Sequence, residues 1–295
     1  MNKENFGVLL VLLTALESSV AIIVNRFFVL KIDPVIFTAV RAVLIGITFL
    51  ILSKYLPKPK KPAKTKDLAI LGLIGGGLAF LLFFTGLKLT TGGRAALIHK
   101  TLPIWAAIIG YYFLKEKITK NQKIAIGVAI LGILILQYDN LPIDVRWGDA
   151  LVLGATLLWA IENGLAKKFM NLGENNWRVT YGRMFFGSLF LFGVAFLQGK
   201  LPILLSLQPI QWVYMLVSTL LLTWYVLTWY WGLKFINLSK AATFLLISPV
   251  ISLVLGVIFL GEAIYPMQIF GSVLIIGALM VLGNIRSERL YGELP

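Results

Sequence analysis

The chain has 295 residues, 59% of them hydrophobic and only 14% charged, with a net charge of +14 and a mean hydropathy of +0.88. A soluble domain is about half apolar and a quarter charged, so this composition excludes an ordinary soluble enzyme. It also assigns the positive charge to membrane loops rather than to a nucleic-acid partner. Cysteine is absent and His99 is the single histidine, which excludes disulfides, a thiol nucleophile and a Cys/His metal cluster; no cofactor and no catalytic group is expected.

Apolar runs of about 20 residues, each enough to cross a bilayer, recur along the sequence. Ten spans are expected, at roughly 6–29, 34–53, 67–89, 94–114, 121–138, 148–169, 177–198, 210–233, 239–260 and 264–284. The first run continues as a full span with no small-residue cleavage site, so it reads as a helix rather than a cleavable signal. Connections are short except for Lys54 to Lys66. That Pro- and Lys-rich stretch reads as a solvated basic loop, and either topology or anionic lipid accounts for it. With the N-terminus in the cytoplasm, most Lys and Arg residues fall on the cytoplasmic side, including the Lys54–Lys66 set, Lys115, Lys117, Lys120, Lys123, Lys167, Lys168, Lys234, Lys240, Arg286 and Arg289. The outer side holds fewer, Arg94 among them. The positive-inside rule therefore places both termini in the cytoplasm of a multi-pass protein of the cell membrane.

The chain is duplicated. Gly86 to Glu116 and Gly232 to Glu262 align at a constant offset, with Gly86/Gly232, Leu87/Leu233, Lys88/Lys234, Arg94/Lys240, Ala95/Ala241, Ala96/Ala242, Pro103/Pro249 and Glu116/Glu262 in register. Pro34 to Arg41 lies opposite Asn176 to Arg183 in the same way. Two repeats are expected, 1–140 and 141–295, each with five spans. An odd number of spans forces the second repeat to enter the membrane from the opposite side, so the halves are inverted. That architecture supplies two exchangeable conformations and is the basis of alternating access in carriers.

Ten spans in two five-helix repeats, an Arg early in the second span of each, and a Gly-Leu-Lys, Ala-Ala, Pro, Glu signature later in each half resemble the drug/metabolite transporter superfamily, specifically its EamA group. The resemblance covers about residues 6–285. It implies a ten-helix secondary transporter of small metabolites with a central cavity between the halves, and it points to amino-acid export as the leading activity. Such proteins often carry Trp where this chain has Glu17, while the second repeat keeps Trp159. An organic-anion or nucleotide-sugar exchanger is the alternative, and a non-transport membrane protein the more distant one.

Ionisable groups inside a membrane are costly and normally face a cavity or a partner. Glu17 lies about 16 Å into its span at 1.5 Å per residue. It is a proton carrier or counter-charge for a substrate amine, or else an ion-pair partner of Lys100 or Arg41. Lys100 holds a substrate carboxylate or snorkels to the outer headgroups. His99 precedes it, and neighbours on a helix point about 100° apart, so both hardly face one cavity centre. Their counterparts are Leu245 and Leu246, so this polarity is outside the shared scaffold. Arg41 and Arg183, each kept by its half, read as carbonyl-capping or snorkelling groups, with substrate contact also open for Arg41. Glu162 and Asn163 follow Trp159; Glu162 is a gate acid or the partner of Arg183. Pro103 and Pro249 mark a bend shared by both repeats, and Glu116 and Glu262 are interfacial and structural. Tyr225 and Trp229 share a face at i, i+4 and offer rings for stacking a substrate, with helix packing as the other reading. The Gly75-Gly76-Gly77 run permits close helix contact. The expected partners are a small-molecule substrate, the lipid bilayer and protons.

Overall fold

A computed structural model describes residues 2–55, 58–138, 146–260 and 263–285, the side chains of 259 and 260 excepted. Arg286, Arg289 and Glu262 lie outside the described residues, as does the role expected of Glu262. Every regular element among the described residues is helical: α1 (Lys3–Val29), α2 (Pro34–Tyr55), α3 (Thr65–Leu89), α4 (Gly92–His99), α5 (Leu102–Tyr112), α6 (Lys120–Leu136), α7 (Trp147–Asn171), α8 (Asn176–Leu197), α9 (Ile203–Ser206), α10 (Pro209–Phe235), α11 (Leu238–Phe244), α12 (Ser248–Leu260) and α13 (Pro266–Asn284).

Local sequence sets the helix starts. Asn2 accepts from the Asn5 amide at 2.7 Å to cap α1, Asp33 accepts from the Val35 amide at 2.9 Å ahead of Pro34, and Asn175 accepts from the Arg178 amide at 2.9 Å to cap α8. Thr119 and Gln122 form a reciprocal capping box on α6. Pro209 and Pro266 open α10 and α13, where a missing amide donor costs nothing.

Among the described residues, eight helices are long and apolar enough to cross a membrane, α11 and α12 counting as one through a 3-10 turn at Leu245–Ile247. The expected span at 94–114 is divided: α4 ends at His99, Lys100 caps it with its amide still on the Ala96 carbonyl, the Thr101 amide turns to the Ile98 carbonyl, and α5 restarts with Pro103 in its first turn. Pro249 stands in the same place after the 3-10 turn of the second half. Proline lacks the amide that the ladder needs, so the expected bend is a break in one copy and a tightened turn in the other.

Glycine carries the closest helix crossings. A methyl group on Gly76 would stand 1.9 Å from the Arg183 carbonyl oxygen, and one on Gly187 would stand 2.3 Å from the Gly76 carbonyl carbon. The backbones of α3 and α8 therefore touch, and both helices widen there into π-turns, at Gly72–Leu78 and Gly182–Phe186. On Gly75 a methyl group would meet Glu162 Cγ at 2.2 Å. The close contact expected of the triple glycine is the observed one. Away from this centre, Gly132 of α6 and Gly271 of α13 bring a second pair of backbones together.

Several basic residues read as loop charges are interior groups. Lys167 donates to the carbonyls of Leu233 and Ile236 at 2.5 and 2.6 Å and so caps the end of α10. Arg94 pairs with Asp149, and Lys240 with Glu4. The lysines of 58–66 are exposed as expected, while the Ala63 amide between them donates to Glu174 at 2.7 Å. Glu116 is buried in the protein. It accepts from the Leu238 and Ser239 amides at 2.7 and 3.3 Å, a structural tie across the two halves of the chain.

Candidate functional site

The helices surround a pocket with about 660 Å³ of empty space, part of it continuous with the outside. α1 contributes Glu17, Ser18, Ala21, Ile22 and Asn25; α2 contributes Arg41; α3 contributes Phe80, Phe83 and Phe84. His99 and Leu102 come from either side of the broken segment, Trp159 and Asn163 from α7, Arg183 from α8, and Leu222 and Tyr225 from α10. Ligand sites have this character: apolar and aromatic walls with a few convergent polar groups.

Arg41 is 2% exposed. Its guanidinium carbon lies 4.8 Å from the Phe84 ring centre and 4.9 Å from that of Phe37, distances at which the ring faces attract a cation. Its Nε and Nη1 donors find no hydrogen-bond partner among the described residues, and neither does Glu17 Oε2. The readings of Arg41 as a carbonyl cap or a snorkelling group therefore give way to a cation held by rings at the cavity wall.

Arg183 lines the same cavity but is bonded differently. It donates to Tyr230 Oη at 2.9 Å and lies 3.5 Å from Glu162 Oε2. Tyr230 Oη donates to Glu162 Oε1. Glu162 is fully buried and does not line the cavity; of its two expected roles, partner of Arg183 is the one observed. Thus the two arginines in matching register are unequal: Arg183 is bonded to a phenol and paired with a carboxylate, whereas Arg41 is packed by rings with Nε and Nη1 unbonded.

Trp159 donates its indole N–H to the Gly75 carbonyl at 3.0 Å, in the π-turn of α3. A π-turn leaves a carbonyl outside the ordinary ladder, and the indole uses it. Trp229 donates to Asn163 Oδ1 at 2.8 Å and is fully buried. It therefore orients Asn163, while Tyr225, with its ring centre 6.1 Å away, is the member of the pair that faces the cavity. Trp212 and Trp224 of α10 are about 40% exposed and turn outward.

His99 contacts Phe83 and Trp159 edge to face, at 5.7 and 5.2 Å between ring centres. The Thr156 hydroxyl donates to the Val152 carbonyl at 2.8 Å, so its oxygen is free to accept from His99 Nδ1 at 3.3 Å.

Lys100 is the principal correction. It is neither on the cavity wall nor snorkelling. It is 5% exposed, donates to Ser18 Oγ at 3.4 Å, and lines a smaller space with Pro103, Ala242, Leu245 and Leu246. The expected divergence of His99 and Lys100 is therefore observed: His99 lines the cavity, and Lys100 lies inside the protein beside Ser18 without lining it. Of the nine residues singled out by sequence, Glu17, Arg41, His99, Trp159, Asn163 and Tyr225 come together in the lining of this cavity. Lys100, Glu162 and Trp229 stand behind it. Sequence reasoning left Arg183, Asn25 and the Phe80, Phe83 and Phe84 cluster out of the site. The repeat register with Arg41 was the available signal for Arg183; nothing in the sequence distinguished the three phenylalanines from lipid-facing ones.

Membrane-crossing helices around a cavity that carries both signs of charge are the build of a small-molecule transporter. The chain belongs to the EamA-like transporter family, which matches residues 5–138 and again residues 146–284, in agreement with the resemblance to the drug/metabolite transporter superfamily. It is 29% identical over 258 residues to the uncharacterized transporter YyaM of Bacillus subtilis, covering 84% of this chain and 83% of that protein. A probable amino-acid metabolite efflux pump of Salmonella typhimurium is 26% identical over 259 residues, 81% of this chain and 84% of the pump. A crystal structure with 16% sequence identity superposes with a TM-score of 0.70, covering 92% of this chain and 98% of the other, and so shares the fold.

Proposed function

We propose that this protein is a secondary transporter that exports a small zwitterionic metabolite, an amino acid or a close relative, driven by a proton gradient or by exchange. The carrying observation is that Glu17 and Arg41, opposite charges, line one cavity while Glu17 Oε2 and Arg41 Nε and Nη1 have no hydrogen-bond partner among the described residues. A buried charge without a partner is strongly unfavourable, and a substrate with an ammonium and a carboxylate supplies both partners at once. Arg41 takes the role expected of Lys100 and holds the carboxylate. Glu17 receives the amine or carries the coupled proton. Phe83, Trp159, Tyr225 and His99 shape the space for the side chain. The similarity to the Salmonella efflux pump supports the amino-acid class and the outward direction.

The same reading includes ten spans, with the α4–α5 segment and α6 crossing alongside the eight longer helices. It includes two inverted repeats at 1–140 and 141–295, both termini in the cytoplasm, and alternating access at the cell membrane. The organic-anion exchanger is favoured by one observation: two arginines and one carboxylate line the cavity. The test is flux from proteoliposomes loaded with amino acids, sugars and nucleotide-sugars, followed by mass spectrometry with and without a pH gradient. Gradient-dependent loss of amino acids is the expected result. Loss of anions only against an external anion would replace it with the exchanger.

A further inference from the structure

Of the three ion pairs that join the halves among the described residues, Lys200–Asp33, at 2.9 Å, is the more exposed, and the other two lie at opposite ends of the molecule. Arg94, in the first turn of α4, bonds Asp149 in the first turn of α7 through both carboxylate oxygens, and Thr90 Oγ1 donates to the same carboxylate at 2.6 Å. Lys240, in the first turn of α11, donates to Glu4 in the first turn of α1 at 2.9 Å and to the Ile285 carbonyl at 2.6 Å. Arg94 and Lys240 occupy equivalent places in the repeats, and so do the helices that hold Asp149 and Glu4. Each pair also sits beside a glycine crossing between the halves. A methyl group on Gly86 would stand 2.7 Å from the Gly148 carbonyl, and one on Gly232 would stand 3.2 Å from the Gly7 carbonyl.

The two pairs lie at the two ends of α1. Glu4 begins that helix, and Arg26 near its far end reaches the Lys88 carbonyl at 3.5 Å, two residues before Thr90. The separation of residues 4 and 26 along the helix is about 33 Å at 1.5 Å per residue. Glu17 and the rest of the cavity wall fall between.

We infer that Arg94–Asp149 and Lys240–Glu4 are paired latches, one for each mouth of the cavity, and that each breaks when the cavity opens to its own face. The inference rests on the alternating-access reading. Inverted halves make such latches necessarily equivalent, and a buried or half-buried ion pair is a two-position contact: its partners are either bonded or solvated. Removing one latch biases the population toward the conformation open on that side, and removing the other biases it the opposite way.

The absence of cysteine from the chain makes the test direct. Ala21 lines the cavity, so Ala21→Cys in the full-length protein gives a single reporter. Its rate of modification by a membrane-impermeant maleimide is read from each face, in intact cells and in inverted vesicles. Glu4→Gln, which keeps size and removes charge, is expected to raise the ratio of rates about tenfold toward the face holding the start of α1, a change that corresponds to about 1.4 kcal/mol. Asp149→Asn, which can still accept from the Arg146 amide, is expected to raise it by a similar factor toward the other face. Lys240→Gln and Arg94→Gln read the same two latches if either first variant fails to fold, and an Arg94→Asp, Asp149→Arg exchange is expected to restore the parent ratio. Shifts in one common direction, or none, would mean that the pairs are static staples and would overturn the proposal. Opposite shifts in a protein that moves no substrate in the flux assay would uphold the latches while rejecting the substrate class.

Discussion

At the level of single residues, charge inside the bilayer is kept only where something answers it. Arg183 is answered by Glu162 and Tyr230, and Lys100 is close to Ser18, but Arg41 and Glu17 are left to the cavity. Arg41→Gln is therefore expected to weaken substrate binding about tenfold to a hundredfold, the worth of a charged hydrogen-bonded contact. Lys100→Met is expected to leave binding within about threefold, since its nitrogen is not on the wall; equal losses from both would return the carboxylate to Lys100. Glu17→Gln removes the one acidic side chain in the lining and is expected to flatten the dependence of flux on pH. A pH profile that survives in this variant would place the coupled proton elsewhere. The positions of Glu17 and Arg41 within their spans were legible in the sequence, because depth follows from counting residues along a helix of known rise. Which of His99 and Lys100 faces the cavity was not, because that depends on how the whole segment is rotated about its axis against helices distant in sequence.

At the level of elements, packing is decided by where two backbones touch. The α3–α8 crossing depends on Gly76 facing Gly187 and the Arg183 carbonyl, and that crossing holds Arg183 at the cavity and offers the Gly75 carbonyl to Trp159. Gly76→Ala is expected to destabilise the protein by about 1–3 kcal/mol, the usual effect of forcing a methyl group into a packed interface. Thermal unfolding in detergent is the measurement, with Gly127→Ala as the control, since nothing lies within 4 Å of a methyl group there. An unchanged midpoint for Gly76→Ala would mean that the two helices can separate without loss. The glycine run was visible in the sequence as a contact motif. Its partner was not, because the residues that meet it come from a segment about a hundred positions away. The broken α4–α5 segment was half legible: Pro103 announced a disturbance, and only the folded backbone located the break at Lys100 and Thr101.

At the level of the whole molecule, the even span count and the charge bias make one topological prediction. Fusions of a cytoplasm-dependent fluorescent reporter to either end are expected to fluoresce, and a dark fusion at one end would require an odd number of crossings. The sequence by itself determined the class of this protein. Composition requires a membrane, span length requires helices, and a duplicated signature implies two related halves, because each of these follows from local chemistry or from counting. Only the tertiary structure decided which charges share a cavity. That choice depends on how helices distant in sequence are rotated about their axes and how closely their backbones approach. The unequal treatment of Arg41 and Arg183 is the clearest case: the residue and its register are the same in both halves. The difference lies in Glu162 and Tyr230, which α7 and α10 bring to one arginine and not to the other.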